Sequence, residues 1–148
     1  VDNQRYLSSK ILLNRKAIEE NVEQAVQDYS IKVAGHNDPV SSLSGGNQQK
    51  VIIARELGDS PDVILAVNPT RGLDIGSIEY VHQCIKNQQA DGKTVILISN
   101  ELSEIMALSN RIGVIYEGKI IKTFNNVNIS KEDLGYYMLG GRAQENEI

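Results

Sequence analysis

The sequence predicts an α/β fold with parallel strands joined by crossover helices, and three observations predict it. The run Val63-Ile64-Leu65-Ala66-Val67 is unalternating and apolar, which suits a strand covered on both faces of a parallel sheet. A second buried strand is expected at Thr94 to Ser99, after a helical stretch, and strand, helix, strand at that spacing is a βαβ unit. Elsewhere helical periodicity alternates with β runs, the pattern of the α/β class.

The elements follow in order. Ile18, Val22, Ala25, Val26 and Tyr29 share one helix face, with Asn14 as the N-cap. Residues 31–43 read as a loop broken by Gly35, Asn37, Asp38 and Pro39. Ser44 opens a second helix that runs to Leu57 and stops at Gly58, with Pro61 beyond it. Gly45 and Gly46 in its first turn are unfavourable by about 1 kcal/mol each against Ala, which points to close backbone approach by something. A helix over Gly76 to Ala90 carries Ile78, Val81 and Ile85 on one face. Asp91-Gly92-Lys93 turns the chain into the second strand. A short helix from Glu101 to Leu108 comes next. Ile112 to Tyr116 and Lys119 to Phe124, split by Glu117-Gly118, read as a hairpin. Ser130 and Asp133 form a capping box for a last helix ending near Gly140-Gly141.

Composition bounds the function. The 148 residues are 41% hydrophobic and 23% charged, enough for one domain or part of a larger one. The single cysteine, Cys84, excludes an internal disulfide framework and fits a reducing compartment. No apolar run approaches the roughly 20 residues a membrane helix needs. The opening residues lack the apolar core of a secretory signal. A net charge of −4 disfavours a nucleic-acid partner, which calls for a basic face. His36 and His82 have no second ligand at metal spacing, so no metal site is expected. Cys84 reads as a small buried helix residue, Glu19-Glu20-Glu23 as a solvated helix face, and Tyr136 to Leu139 as a terminal helix closing the core.

Two segments come near a P-loop, G-x-x-x-x-G-K-[ST], and fail. Gly113 to Lys119 is followed by Ile120 and a β run, and Asn87 stands where the first glycine before Gly92-Lys93-Thr94 belongs. A third segment is stronger. Leu43-Ser44-Gly45-Gly46-Asn47-Gln48-Gln49-Lys50 opens a helix about 13 residues before the strand at Val63. A Ser N-cap before two glycines leaves backbone N–H groups at the positive end of a helix dipole, which makes an anion site. This segment resembles the signature motif of ABC-type ATPases, and its Asn-Gln-Gln-Lys ending resembles the tandem ATPase subunits of sugar and nucleoside importers. Pro69-Thr70-Arg71-Gly72-Leu73-Asp74 resembles the segment that follows the family's Walker B strand and ends in its D-loop. Asn100 stands at the place of the switch histidine. Asn110-Arg111-Ile112 and Tyr116-Glu117-Gly118-Lys119-Ile120 resemble the late strand and hairpin. The likeness runs from about Asn14 to Gly141 and is greatest for the second half of a nucleoside-importer ATPase.

The resemblance implies a partial P-loop NTPase fold: the C-terminal portion of one ATPase domain, without its P-loop. Residues 1–60 would hold part of a helical subdomain and the signature helix, and 61–148 the core βαβ unit, hairpin and terminal helix. Ser44 and Gly46 would contact the γ-phosphate of ATP held by the facing half, with Gly45 and Asn47 shaping the loop. Asp74 would couple the two sites, or simply cap the helix after it; the sequence leaves both open. ATP and Mg²⁺ would be bound in the full-length dimer and not by this chain alone. The partners implied are the first ATPase half, integral-membrane channel subunits and, indirectly, a lipoprotein or other solute-binding receptor. The place implied is the cytoplasmic face of the membrane, held peripherally. The cargo implied is a nucleoside, with a simple sugar second.

Three positions depart from the family. Val67 stands where the Mg²⁺-binding Asp belongs and cannot ligate a hard cation. Asn68 stands at the catalytic Glu and cannot take a proton from water; loss of a general base removes about 10²–10⁴ in rate, or about 3–5 kcal/mol of barrier lowering. Asn100 can hydrogen-bond a phosphate but cannot carry charge as His does. No intact catalytic residue is expected, so this chain would serve the opposite half's ATP rather than its own, and alone it would be inactive. The rival from another class is a regulatory or dimerisation module derived from such an ATPase. A third, an ATPase of translation or DNA repair, is disfavoured by the acidic balance.

Overall fold

The computed structural model describes residues 13–35 and 37–141. Helix α1 spans Arg15–Asp28, α2 Gly45–Leu57, α3 Ile75–Ala90, α4 Leu102–Leu108 and α5 Lys131–Met138. Strand β1 spans Val63–Val67, β2 Thr94–Ile98, β3 Arg111–Tyr116 and β4 Lys119–Asn125. The chain divides into two compact units: the described residues up to Asp62 with Gly72–Ile78, and Val63–Arg71 with the described residues from Glu79 onward.

In the first unit the expected caps form where the side chains allow them. Asn14 Oδ1 accepts from the Ala17 N–H at 3.2 Å and starts α1. The loop before α2 tightens into one 3-10 turn, Val40–Ser42. Apolar residues of both helices, among them Val22, Val26, Val51 and Leu57, line a cleft of about 540 Å³ together with Tyr29 at the end of α1. Helix α2 ends at Leu57 with Gly58 as its C-cap, as expected, and Gly58 is itself right-handed, with φ −59°. The left-handed residue is Ser60, at φ 48°, so the turn away from α2 is completed two residues later.

In the second unit β1 and β2 pair in parallel, Val63 opposite Thr94 through Val67 opposite Ile98. The expectation that both strands are covered on both faces is wrong. Val63, Leu65 and Val67 are 60, 63 and 55% exposed, and Ile96 and Ile98 are 50 and 47% exposed. The register puts all five on one face with Thr94. Their unalternating composition provides two apolar faces, and among the described residues only the other is half-covered. Strands β3 and β4 pair antiparallel around Glu117 and Gly118. Both turn residues have positive φ, 48° and 76°, the twist a tight two-residue hairpin needs.

The core of this unit is Ile112, Val114 and Leu134, with Leu102, Ile105, Met106, Phe124 and Tyr137 against it. Phe124 and Tyr137 meet edge-on, centroids 5.2 Å apart. The capping box of α5 is complete: the Asp133 N–H donates to Ser130 Oγ at 3.0 Å, and the Ser130 N–H to Asp133 Oδ2 at 3.3 Å. That helix closes the core through Leu134, 1% exposed, and Tyr137, while Tyr136, Met138 and Leu139 remain exposed. Cys84 is half-buried rather than buried. Among α1's acidic residues, Glu19, Glu20 and Glu23 are exposed, as expected.

Candidate functional site

The sequence-predicted residues gather in two places, one in each unit. In the first unit they surround the start of α2. Ser44 has the extended φ and ψ of an N-cap, yet its side chain makes no capping bond. Its oxygen instead accepts from Asn47 Nδ2 at 3.0 Å. Asn47 is held in that orientation because its Oδ1 accepts the Lys32 N–H at 2.8 Å. The first backbone bond of α2 runs from the Gln48 N–H to the Ser44 carbonyl at 2.9 Å, so the N–H groups of Gly45, Gly46 and Asn47 have no acceptor within the helix. Gln48 Nε2 braces the Leu43 carbonyl at 2.8 Å, and Lys50 Nζ reaches the Ser30 carbonyl at 2.9 Å.

The two glycines differ. A Cβ on Gly45 would meet nothing within 4 Å. A Cβ on Gly46 would stand 2.2 Å from Ser77 Oγ and 3.6 Å from Asp74 Oδ2, so the turn is packed against the start of α3. Asp74 caps that helix: Oδ1 accepts the Ser77 N–H at 2.9 Å and Oδ2 the Ser77 hydroxyl at 2.8 Å. The Ser77 N–H, and then its hydroxyl, hold the Asp74 carboxyl below the ordinary 3.8. Of the two readings left open for Asp74, the capping one is present in the geometry. Ser77 was missed by the sequence reading, although Asp-x-x-Ser carries the spacing of a reciprocal cap.

In the second unit Val67, Asn68 and Asn100 lie at or just beyond the ends of β1 and β2. Val67 is the last residue of β1 and offers no oxygen side chain. Asn68 extends the ladder, its N–H donating to the Ile98 carbonyl at 2.7 Å. It then turns at φ 44°, a conformation Asn tolerates better than most residues. Its Oδ1 accepts the Asn100 N–H at 3.3 Å. Asn68 and Asn100 are therefore joined to each other.

Behind them lies a group that the sequence reading also missed. Thr70 Oγ1 donates to Glu104 Oε1 at 2.8 Å, and His82 Nε2 lies 3.0 Å from the same oxygen. Thr70 and Glu104 are buried, and Glu104 Oε2 has no hydrogen-bond partner among the described residues. No group of three or more His, Cys, Asp or Glu able to hold a metal occurs among the described residues. His36 lies outside the described residues.

No family model matches the chain. It is 41% identical over 134 residues to the guanosine import ATP-binding protein NupO of Bacillus subtilis, covering 90% of this chain and 26% of that one. The nucleoside import ATP-binding protein NupA of Lactococcus lactis is likewise 41% identical, over 133 residues and the same shares. The ribose import ATP-binding protein RbsA of Shouchella clausii is 36% identical over 80% of the chain and 24% of its own length. The chain thus spans about a quarter of these relatives. Among solved structures, the dimeric ATP-binding cassette MJ0796 in a post-hydrolysis state bound to ADP and Pi has a TM-score of 0.65 at 25% identity, over 82% of this chain and 52% of that one. The cassette MJ1267 of an ABC transporter shares the fold at a TM-score of 0.64 and 19% identity, over 95% and 53%.

Proposed function

The chain belongs to the ABC-type ATPases, among relatives named for nucleoside and sugar import, and we propose that it lends a phosphate-capping helix end to ATP held by an opposite half. One observation carries this reading: the first-turn N–H groups of α2 have no acceptor in the helix, and the Ser44 hydroxyl does not cap them. A helix N-terminus carries about half a positive charge. With Ser44 adding an O–H donor and Gly46 no side chain, the turn suits the terminal phosphate of a nucleotide. Gly45 and Asn47 set its shape, the latter through Ser44 and Lys32. Asp74 holds the neighbouring loop.

The chain's own hydrolytic site is degenerate on this reading. Val67 offers Mg²⁺ no ligand, Asn68 offers water no base, and Asn100 replaces the switch histidine. Mg²⁺ and the catalytic carboxylate come from the opposite half. ATP hydrolysis in the assembled protein is then asymmetric, with one competent site. The cargo is a nucleoside, or a simple sugar, after the names of the relatives. The assembly sits at the cytoplasmic face on channel subunits fed by a solute receptor. No helix among the described residues is long and apolar enough to cross a membrane, in keeping with a peripheral subunit.

The bond between Asn68 and Asn100 favours a second reading, a regulatory or dimerisation module without ATP chemistry. Ser44→Ala in the assembled ATPase separates the two. The capping role predicts a loss of about 10²–10³-fold in phosphate release, the range for removing one donor from a developing anion. Unchanged release would leave only the module.

A further inference from the structure

We propose that Ser77 is a positioning residue: it joins the Asp74 loop to the Ser44–Asn47 turn through Gly46, so that the two hold one geometry. The proposal deepens the capping reading and rests on it for its functional meaning. Ser77 stands in the first turn of α3 and faces two ways. Its N–H and hydroxyl hold the Asp74 carboxylate at 2.9 and 2.8 Å. Against its other side lies Gly46, where a Cβ would come within 2.2 Å of Oγ and 3.3 Å of the Ser77 Cβ. Gly45, one residue earlier, has open space around the same position. The second glycine thus matches a close approach within the chain itself, whatever it also offers a phosphate.

The hydroxyl is the shared part. A side chain at position 46 fits only if Ser77 Oγ swings aside, and that breaks a hydrogen bond to a charged acceptor, among the stronger kinds. A change in the turn therefore loosens Asp74, and a change at Asp74 frees the group that fills the space beside Gly46. In the proposed assembly both segments face the same ATP, and Ser77 fixes their spacing.

A double-mutant cycle on this chain, without nucleotide, tests the coupling. Urea unfolding is measured for the parent, Gly46→Ala, Ser77→Ala and the double variant. Gly46→Ala lowers the folding equilibrium constant about tenfold, within the range for overpacking. The double variant is no less stable than Ser77→Ala alone, because the atom in the way is gone. Carbon-13 NMR provides the second readout: the Asp74 carboxyl resonance moves in Gly46→Ala in the same direction as in Ser77→Ala. Additive losses, or an unmoved Asp74 resonance, overturn the proposal. Should Gly46→Ala not fold, Asp74→Asn decides. It shifts the Gly46 amide resonance by more when Ser77 is present than in the Ser77→Ala background, where only the direct approach of Asp74 Oδ2 acts; equal shifts in both overturn the proposal. The cycle is independent of the capping reading, which fails instead if Ser44→Ala leaves hydrolysis normal.

Discussion

At the scale of single residues, the two adjacent glycines give opposite forecasts. Gly45→Ala meets no atom within 4 Å and removes a residue that helices disfavour, so it is expected to raise stability by up to about 1 kcal/mol. A raised urea midpoint with unchanged slope checks it. Asp74 gives a pH forecast. Its carboxyl is held below the ordinary value by Ser77, through the N–H first and the hydroxyl second. A lowered folded-state pKa contributes stability that is present above the unfolded value and lost as pH falls through the folded one. Asp74→Asn is therefore expected to lower stability at neutral pH and to flatten the acid limb below the ordinary carboxylate value, so that the two proteins converge as pH falls; urea unfolding across pH checks it. Ser77→Ala is expected to return the Asp74 titration, followed by NMR, toward 3.8. Asn68 sits at φ 44° with its side chain committed to Asn100. Restoring a carboxylate by Asn68→Glu is expected to strain the turn and yield no phosphate release by this chain, since Val67 still offers no metal ligand. Turnover in that variant would contradict this.

At the scale of elements, the hairpin and the last helix offer the cleanest tests. Glu117 occupies a left-handed position that Asn fills at less cost, so Glu117→Asn is expected to raise the thermal midpoint. Ser130→Ala removes the cap of α5 and is expected to cost about 1 kcal/mol, read from urea unfolding. These elements were legible in the sequence because their signals are local. Ser130 and Asp133, Glu117-Gly118 and Asn14 each act within four residues of themselves. What was not legible is long-range. Asn47 meets Lys32 fifteen positions away, and Thr70 meets Glu104 across 34 positions; no periodicity encodes such pairs. The strands β1 and β2 were placed correctly, but their burial was not. An apolar run states that two faces can be covered, whereas whether a face is covered depends on other elements.

At the scale of the whole molecule, the candidate site was legible in order and spacing, and its wiring was not. The Ser44–Asn47 turn stands out in the sequence because two glycines open a helix, whereas Val67, Asn68 and Asn100 stand out only against the motif order of the family the chain resembles. Ser77 and Glu104 do not, being unremarkable polar residues until the fold puts Gly46 or Thr70 beside them. The proposed function makes hydrolysis asymmetric: this chain would cap a phosphate in the opposite half and hydrolyse none of its own. The direct measurement is phosphate release by the assembled ATPase after the catalytic carboxylate of the opposite half is changed to its amide. The account predicts that release falls by about 10²–10⁴-fold, the worth of a general base, with no residual contribution from this chain. Release persisting near half the original rate would contradict it and assign a working site to the strand ends at Val67 and Asn100.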